Sequence, residues 1–331
     1  MLKLAILSFW HVHAKDYLQD AAEHPDTTVV ALWDEIPERG QQEAEKHNLQ
    51  AYQDLDELLS QPDIDGIIVT TPTNLHEQVM VAAAKAKKHI FTEKVVAATT
   101  SATTKIFDVA QANAIQLCVS LPRLYHGYTQ AIKQIVAEGK IGQVTYARVR
   151  LAHDGSVATE KNPNGWLPAH FYNIEQAQGG ALIDLGCHPV YLLQEFLGRP
   201  HTVQATFGYH TQRPVEDQAV VTLGYLDGRA GIAETGFVSA RGPIQIELQG
   251  TEGWLRYGFG EERLELYQQE TAQIVTVDLP QDGATPFELW VDQIAGQASG
   301  THNLDHAYRL TEIMEAAYLS VQQNQTVLLD D

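Results

Sequence analysis

Short apolar runs alternate with helix-periodic stretches through the first third of the chain. Residues 3–7, 28–33, 66–70, 89–92 and 116–119 are near-continuous runs of aliphatic and aromatic side chains, the pattern of strands covered on both faces. Between them, 14–23, 37–48, 54–59, 75–87 and 101–113 carry apolar residues at helical spacing, with caps and stops at their ends. Repeated βα units of this kind predict a doubly wound parallel sheet, a Rossmann domain, over residues 1–120.

After residue 120 the pattern changes. A helix is predicted over 129–138, stopped by Gly139, and another over 180–197. Around the second lie short alternating runs at 202–209, 218–225, 229–237, 244–249, 253–257 and 264–267, with Asp227-Gly228 and Thr251-Glu252-Gly253 as turn signals. These predict an open, mostly antiparallel sheet. Helical patterns at 286–298 and 303–321 follow, the second expected to pack back on the first domain. The fold class is therefore α/β: a Rossmann domain over 1–120 and a second α/β domain over 121–331 for substrate binding and oligomerisation.

Composition narrows the function. A formal charge of -20 and a pI near 5.0 argue against nucleic acid or an anionic membrane as partner, because both demand basic surface. No apolar run approaches the roughly 18 residues of a membrane helix, and residues 1–7 read as a first strand rather than a secretion signal. Cys118 and Cys187 are far apart in apolar runs, which suits free thiols and a cytoplasmic setting.

The most informative stretch is Gly179-Gly180-Ala181-Leu182-Ile183-Asp184-Leu185-Gly186-Cys187-His188-Pro189. On a helix, Asp184 and His188 lie on one face, where a carboxylate can orient an imidazole that titrates near neutrality. Such a pair serves proton transfer, or simply satisfies itself and the helix end. A first βα loop follows residue 7, but Ser8, Trp10 and His13 stand at the three positions of G-x-G-x-x-G, with Phe9, His11 and Val12 between them. Backbone amides at the helix start would still face an anion. Asp34, at the end of the second strand and about 20 residues beyond the loop, is placed to bond a ribose 2′-hydroxyl, favouring NAD over NADP; Arg39 softens that preference. Thr70-Thr71-Pro72-Thr73-Asn74 and Thr92-Glu93-Lys94 follow further strands, at the edge where ligands bind in such sheets.

In combination these segments resemble one family. Asp34 with Pro37 and Arg39, Thr71-Pro72-Thr73-Asn74-Leu75-His76, Lys88-His89-Ile90-Phe91-Thr92-Glu93-Lys94 and the Gly179 to His188 segment are similar, in order and over essentially the whole chain, to the Gfo/Idh/MocA oxidoreductases. The resemblance implies pyridine-nucleotide redox chemistry on sugars, inositols or related polyols, and a homo-oligomer formed through the C-terminal sheet. It implies Lys94 as catalytic lysine, Glu93 as its cofactor-contacting neighbour, and Asp184 with His188 as the acid and histidine pair. Thr71, Pro72, Asn74, His76 and Arg123 would join the first loop, Asp34 and Arg39 around the cofactor. In the implied reaction His188 takes the proton from a C–OH, hydride passes to the nicotinamide, Lys94 holds the oxygen, and Asp184 orients His188 or binds a second hydroxyl.

Three departures from the family pattern stand out: Val95 where Glu-Lys-Pro is usual, the glycine-free first loop, and Tyr191 where many relatives carry Asp. With Val95, the cis-proline turn that fixes the lysine is not expected. Substrate candidates are His153, Trp166, His170, Tyr172 and Tyr191, a polar and aromatic set suited to a carbohydrate or to packing of its own loop. No metal site is expected, since Lys94 and the family precedent argue against one built from His170, Asp184 and His188. Two other activities remain open: a non-catalytic NAD- or sugar-binding regulator, and an NAD-assisted glycosidase.

Overall fold

Leu4, Ala5, Ile6 and Leu7 expose no surface, so the strand that carries them must be covered on both faces and flanked on both edges. In the computed structural model, which describes residues 1–329, that strand is the third of six. The elements of this first part are β1 (Leu2–Leu7), α1 (Ala14–Glu23), β2 (Thr27–Trp33), α2 (Pro37–His47), β3 (Gln50–Tyr52), α3 (Leu55–Leu59), β4 (Gly66–Val69), α4 (His76–Lys85), β5 (His89–Thr92), α5 (Thr100–Ala112) and β6 (Leu117–Val119). The sheet order is β3-β2-β1-β4-β5-β6, and every pairing is parallel. This is the doubly wound order, whose crevice for ligands lies beyond the carboxyl ends of the strands. Loops 8–13, 34–36, 70–75 and 93–96 all leave those ends.

The second part holds α6 (Gly127–Ala137), β7 (Val144–Ala152), α7 (Ile174–Ala177), a π turn at Leu182–Gly186, and α8 (Cys187–Leu197). Then come β8 (Thr202–Gly208), β9 (Gln218–Gly224), β10 (Ala230–Gly236), β11 (Gln245–Gly250), β12 (Gly253–Tyr257), β13 (Leu264–Gln268) and β14 (Gln273–Val277). The chain continues with α9 (Pro286–Ile294), α10 (Thr301–Gln323) and β15 (Val327–Leu328). Nine strands form one sheet in the order β14-β13-β12-β11-β7-β10-β9-β8-β15, antiparallel except where β7 meets β10. The α/β class and the mostly antiparallel second sheet are as expected. The central strand β7 escaped the pattern because its buried Ala147, Val149 and Leu151 alternate with Arg148 and Arg150, which lie on the other face and are partly exposed.

The chain divides into two compact units, one of Met1–Leu121 with Ala284–Tyr308, the other of Pro122–Gly283 with residues from 309 onward. A boundary drawn at residue 120 therefore misplaces α9. Phe287, Trp290 and Val291 lie in the same core as Leu4, Ile6, Ile68 and Phe91, where Phe91 meets Tyr17, Phe287 and Trp290 at ring-centroid distances of 5.1, 5.4 and 5.8 Å. Helical periodicity marks α9 as amphipathic but does not say which sheet receives its apolar face. The start of α10 is tied to the same unit, since Asn303 accepts from the Val119 amide and donates to the Val119 carbonyl, both at 2.8 Å. That pair closes the outer edge of β6. Cys118 and Cys187 are buried and not joined in a disulfide, and no helix among the described residues is long and apolar enough to cross a membrane.

Trp290 is fully buried, so Trp290→Ala should remove about 3–5 kcal/mol from the unfolding free energy measured in urea. A loss below about 1 kcal/mol would contradict the placement of α9 in this core.

Candidate functional site

The first loop is built by side chains rather than by glycines. Ser8 takes φ 81, the left-handed backbone that a glycine would adopt without strain, and has no exposed surface. Its hydroxyl accepts from the Trp10 amide at 3.0 Å and from Arg39 Nη2 at 3.1 Å. The Trp10 side chain packs inward and is 4% exposed, leaving the loop surface to Val12 and His13. The start of α1 carries no side-chain cap, and the His13 and Ala14 amides donate to His11 Nδ1 at 3.2 Å and to the His11 carbonyl at 3.1 Å; an uncapped helix start of this kind suits an anion.

Asp34 is the anchor of this loop. Its carboxylate accepts from the amides of Phe9 and Ile36, both at 2.8 Å, and from Arg39 Nε at 2.8 Å and Nη2 at 2.7 Å. A carboxylate has about four acceptor positions, and four donors fill them. The structure thus places Asp34 and Arg39 together beside the loop, with Asp34 holding the backbone and Arg39 the only one of the two with solvent exposure, 23% against 0% for the side chains. Glu35 also accepts from Arg39 Nη2, at 2.6 Å.

At the end of β5, Glu93 draws together four elements of chemistry. Its Oε2 accepts from Tyr17 and lies 3.0 Å from His13 Nδ1 and 3.7 Å from His11 Nδ1; its Oε1 accepts from the Lys94 amide at 3.0 Å, with Lys94 Nζ at 3.6 Å. Glu93 and the Lys94 side chain are each 2% exposed. Burial pushes the Glu93 carboxyl upward, but His11, His13 and Lys94 outweigh it and hold the group well below its ordinary value. Burial, reinforced by Glu93, pushes the Tyr17 hydroxyl well above its own, so it stays a donor. The ligating atoms of His11, His13 and Glu93 lie within 4.8 Å of one another.

The Lys94–Val95 peptide is cis, although Val95 replaces the usual proline and a trans bond was expected. The segment after Lys94 is gripped by His76, whose Nδ1 lies 3.0 and 3.2 Å from the carbonyl oxygens of Val95 and Val96 and whose Nε2 lies 3.1 Å from that of Thr71. His76 is 1% exposed and serves as a clamp between the two strand-end loops rather than facing the loop surface. Thr71 and Pro72 are buried beside it, while Asn74 is exposed and lines a surface groove with Leu59, Glu77, Val81, Lys85 and Lys105.

In the second unit the predicted helix over 180–197 begins as the π turn and becomes α8 only at Cys187. π turns recur at functional sites because they re-aim side chains within a helix. Asp184 is half-buried on the turn, and His188 opens α8 with 7% exposure. His188 Nδ1 lies 2.8 Å from the Tyr191 hydroxyl, which also accepts from the Arg123 amide at 3.2 Å; Arg123 Nη1 donates to Tyr128 at 3.1 Å. Tyr191 has no exposed surface and supports His188. Arg123 is likewise built into this cluster.

The aromatic segment forms a patch in the same unit. His153 stacks on Phe237 with centroids 5.0 Å apart and meets Trp166 at 4.8 Å, while Trp166 donates to Asp154 at 2.9 Å and remains 45% exposed. Burial lowers the tendency of His153 to protonate, opposed by the charge of Asp184, which places the ring within electrostatic reach of the acid. Tyr172 bonds Ser156 at 2.7 Å and carries the Arg213 guanidinium 3.7 Å above its ring; His170 packs against Phe171. Sequence reasoning missed Tyr17, although it lies one turn beyond His13 on α1, a spacing that is legible.

Comparison with known proteins agrees with this architecture. The family model described as "Oxidoreductase family, NAD-binding Rossmann fold" matches residues 10–121, and that described as "GFO/IDH/MocA C-terminal domain" matches residues 129–256. The uncharacterized oxidoreductase YrbE of Bacillus subtilis (strain 168) is 26% identical over 247 residues, covering 72% of this chain and 69% of that protein. The scyllo-inositol 2-dehydrogenase (NADP(+)) IolU of the same organism is 25% identical over 247 residues, covering 72% and 70%. Among solved structures, levoglucosan dehydrogenase in complex with NADH and levoglucosan superposes with a TM-score of 0.82 at 20% identity, over 100% of both chains. The aldose-aldose oxidoreductase from Caulobacter crescentus complexed with glycerol gives 0.82 at 19% identity, over 99% of each. With both halves matched in order and along the same two domains, the chain belongs to the Gfo/Idh/MocA oxidoreductases.

Proposed function

We propose that this protein is an NAD-dependent dehydrogenase that oxidises a CH–OH group of a sugar, inositol or related polyol, or reduces the corresponding carbonyl. The observation that carries the reading is the support given to His188. A buried imidazole whose Nδ1 is held by the Tyr191 hydroxyl can keep that hydrogen on Nδ1 and receive a substrate proton at Nε2. Asp184, on the turn before it, orients the substrate or the ring. Lys94, buried beside the ionised Glu93, supplies a cation for the developing alkoxide. Substrate contacts are assigned to His153, Trp166, His170 and Tyr172, since flat aromatic faces flanked by polar tips suit a carbohydrate ring.

The residues of the first unit fit a dinucleotide. The uncapped start of α1 and the imidazoles of His11 and His13 would receive the pyrophosphate, with Phe9, Val12, Thr71 and Pro72 lining the same strand ends. When bound, NAD supplies the hydride acceptor. Arg39, rather than Asp34, presents the polar edge to an adenosine ribose, because Asp34 spends its acceptor capacity on the backbone and on Arg39. Glu35 beside it keeps the corner acidic, which favours NAD over NADP. We further propose a cytoplasmic homo-oligomer associated through the nine-stranded sheet.

A panel of inositols, aldoses and polyols followed at the NADH absorbance should yield turnover with at least one of them. Silence across the panel together with saturable NAD binding would favour the regulator, and NAD-dependent cleavage of a nitrophenyl glycoside the glycosidase. Lys94→Met and His188→Ala should each lower kcat on the order of 10²-fold or more while keeping the wild-type circular dichroism spectrum. Full activity in either variant refutes its role. Tyr191→Phe should lower kcat by about 10-fold, because it removes the hydroxyl that supports the imidazole and that also accepts from the Arg123 amide; wild-type kcat would contradict that support.

A further inference from the structure

Three consecutive backbone amides open the segment that carries Asp184 and His188, and all three end on one residue. The Gly180 and Leu182 amides each donate to Glu216 Oε1 at 3.0 Å, and the Ala181 amide donates to the Glu216 carbonyl at 2.8 Å. The same Oε1 accepts from the Tyr318 hydroxyl at 2.7 Å, and Glu216 is 2% exposed. A helix start leaves amides without partners, and here a buried carboxylate from the loop before β9 satisfies them in place of a local cap. The two glycines at the head of the segment permit the approach. A side chain on Gly180 would run into the Glu216 carbonyl oxygen, and one on Gly179 into the Tyr318 hydroxyl. Gly186, at the other end of the π turn, lies against Thr235 of β10, where an added carbon would come within 2.8 Å of the threonine methyl.

We propose that Glu216, seated by Tyr318, is the positioning residue of the Asp184 and His188 pair: it fixes the first turn of their segment and thereby the direction of both side chains. The proposal rests on the dehydrogenase reading for its catalytic consequence. Burial pushes the Glu216 carboxyl upward, while Tyr318 and the Leu182 and Gly180 amides pull it back, as expected for an acid retained inside by its donors. An oxygen that accepts from two amides two residues apart leaves the turn one rotational setting. Without it, the Leu182 amide would lose its acceptor and the Gly180 amide would keep only a long bond of 3.4 Å to the Tyr318 hydroxyl, and the turn would relax toward the ordinary helical register.

The test compares Glu216→Ala, Glu216→Gln and Tyr318→Phe by steady-state kinetics and by proton NMR titration of the His188 C2–H. Glu216→Ala should lower kcat on the order of 10²-fold while the substrate KM changes less than about threefold, since small displacements of a catalytic group act on the chemical step. Its His188 resonance should move and titrate with a different midpoint. Glutamine keeps an acceptor oxygen, so Glu216→Gln should recover about 10-fold of the loss and restore the His188 titration. Tyr318→Phe should fall between wild type and Glu216→Ala. Wild-type kcat in Glu216→Ala, or a loss of kcat with an unaltered His188 titration, overturns the proposal. If the alanine variant does not fold, Glu216→Asp, which withdraws the oxygen by one methylene, replaces it with the same expectations. Should wild type turn over no polyol, the dehydrogenase reading fails by itself, and the His188 titration alone decides the positioning claim.

Discussion

A carboxylate cannot be taken out of water without donors, because the cost of an uncompensated buried charge is several kcal/mol. In this acidic chain, buried acids meet that requirement by accepting from backbone amides, and three of them do so around the candidate site. Asp34 accepts from Phe9 and Ile36, Glu93 from Lys94, and Glu216 from Gly180 and Leu182. Each acid is thereby fixed, and each fixes a loop. Removing one would leave the loop amides that donate to it without that acceptor, so these contacts hold conformation more firmly than a surface ion pair of equal length.

The loops held this way carry the candidate chemistry. Asp34 shapes the turn after β1, where side-chain bonds from Ser8 and Arg39 do what glycines do in related sheets. Glu93 joins that turn to the end of β5 through His13 and Tyr17, placing the Lys94 ammonium beside a fixed negative charge. Glu216 performs the same task for the π turn of the second unit. Further support comes from side chains with little exposure, namely His76 on the carbonyls of Thr71, Val95 and Val96, and Tyr191 between His188 and Arg123. A site whose groups are locked by packing and hydrogen bonds loses less entropy in reaching a reactive geometry.

Much of this was readable along the chain. Continuous apolar runs located the parallel strands, since burial on both faces removes polar alternation. Strand ends marked the loops around Glu93 and Asp34, whereas the π turn that carries Asp184 ahead of His188 was not visible in their four-residue spacing. What escaped detection depends on long-range partners. Helical period gave α9 an apolar face but not the Phe91 ring it meets, and nothing near Glu216 indicates the two amides some 35 residues earlier in the sequence that it caps. Asp34 was visible as an acid at the right place, yet its full set of four donors appears only when Arg39 folds back from α2. The cis peptide after Lys94 was likewise not legible, since Val95 is not a residue that signals one.

The account depends most on whether a first loop without glycines, held by Asp34 and Glu93, accepts a dinucleotide. Equilibrium titration of the purified protein with NADH, followed by the change in nicotinamide fluorescence, tests this without requiring the substrate. The account predicts saturable binding at one site per chain with a dissociation constant between about 1 µM and 1 mM, the range of ordinary enzyme affinities. No saturable change up to about 1 mM NADH, from a protein that remains folded, would contradict it.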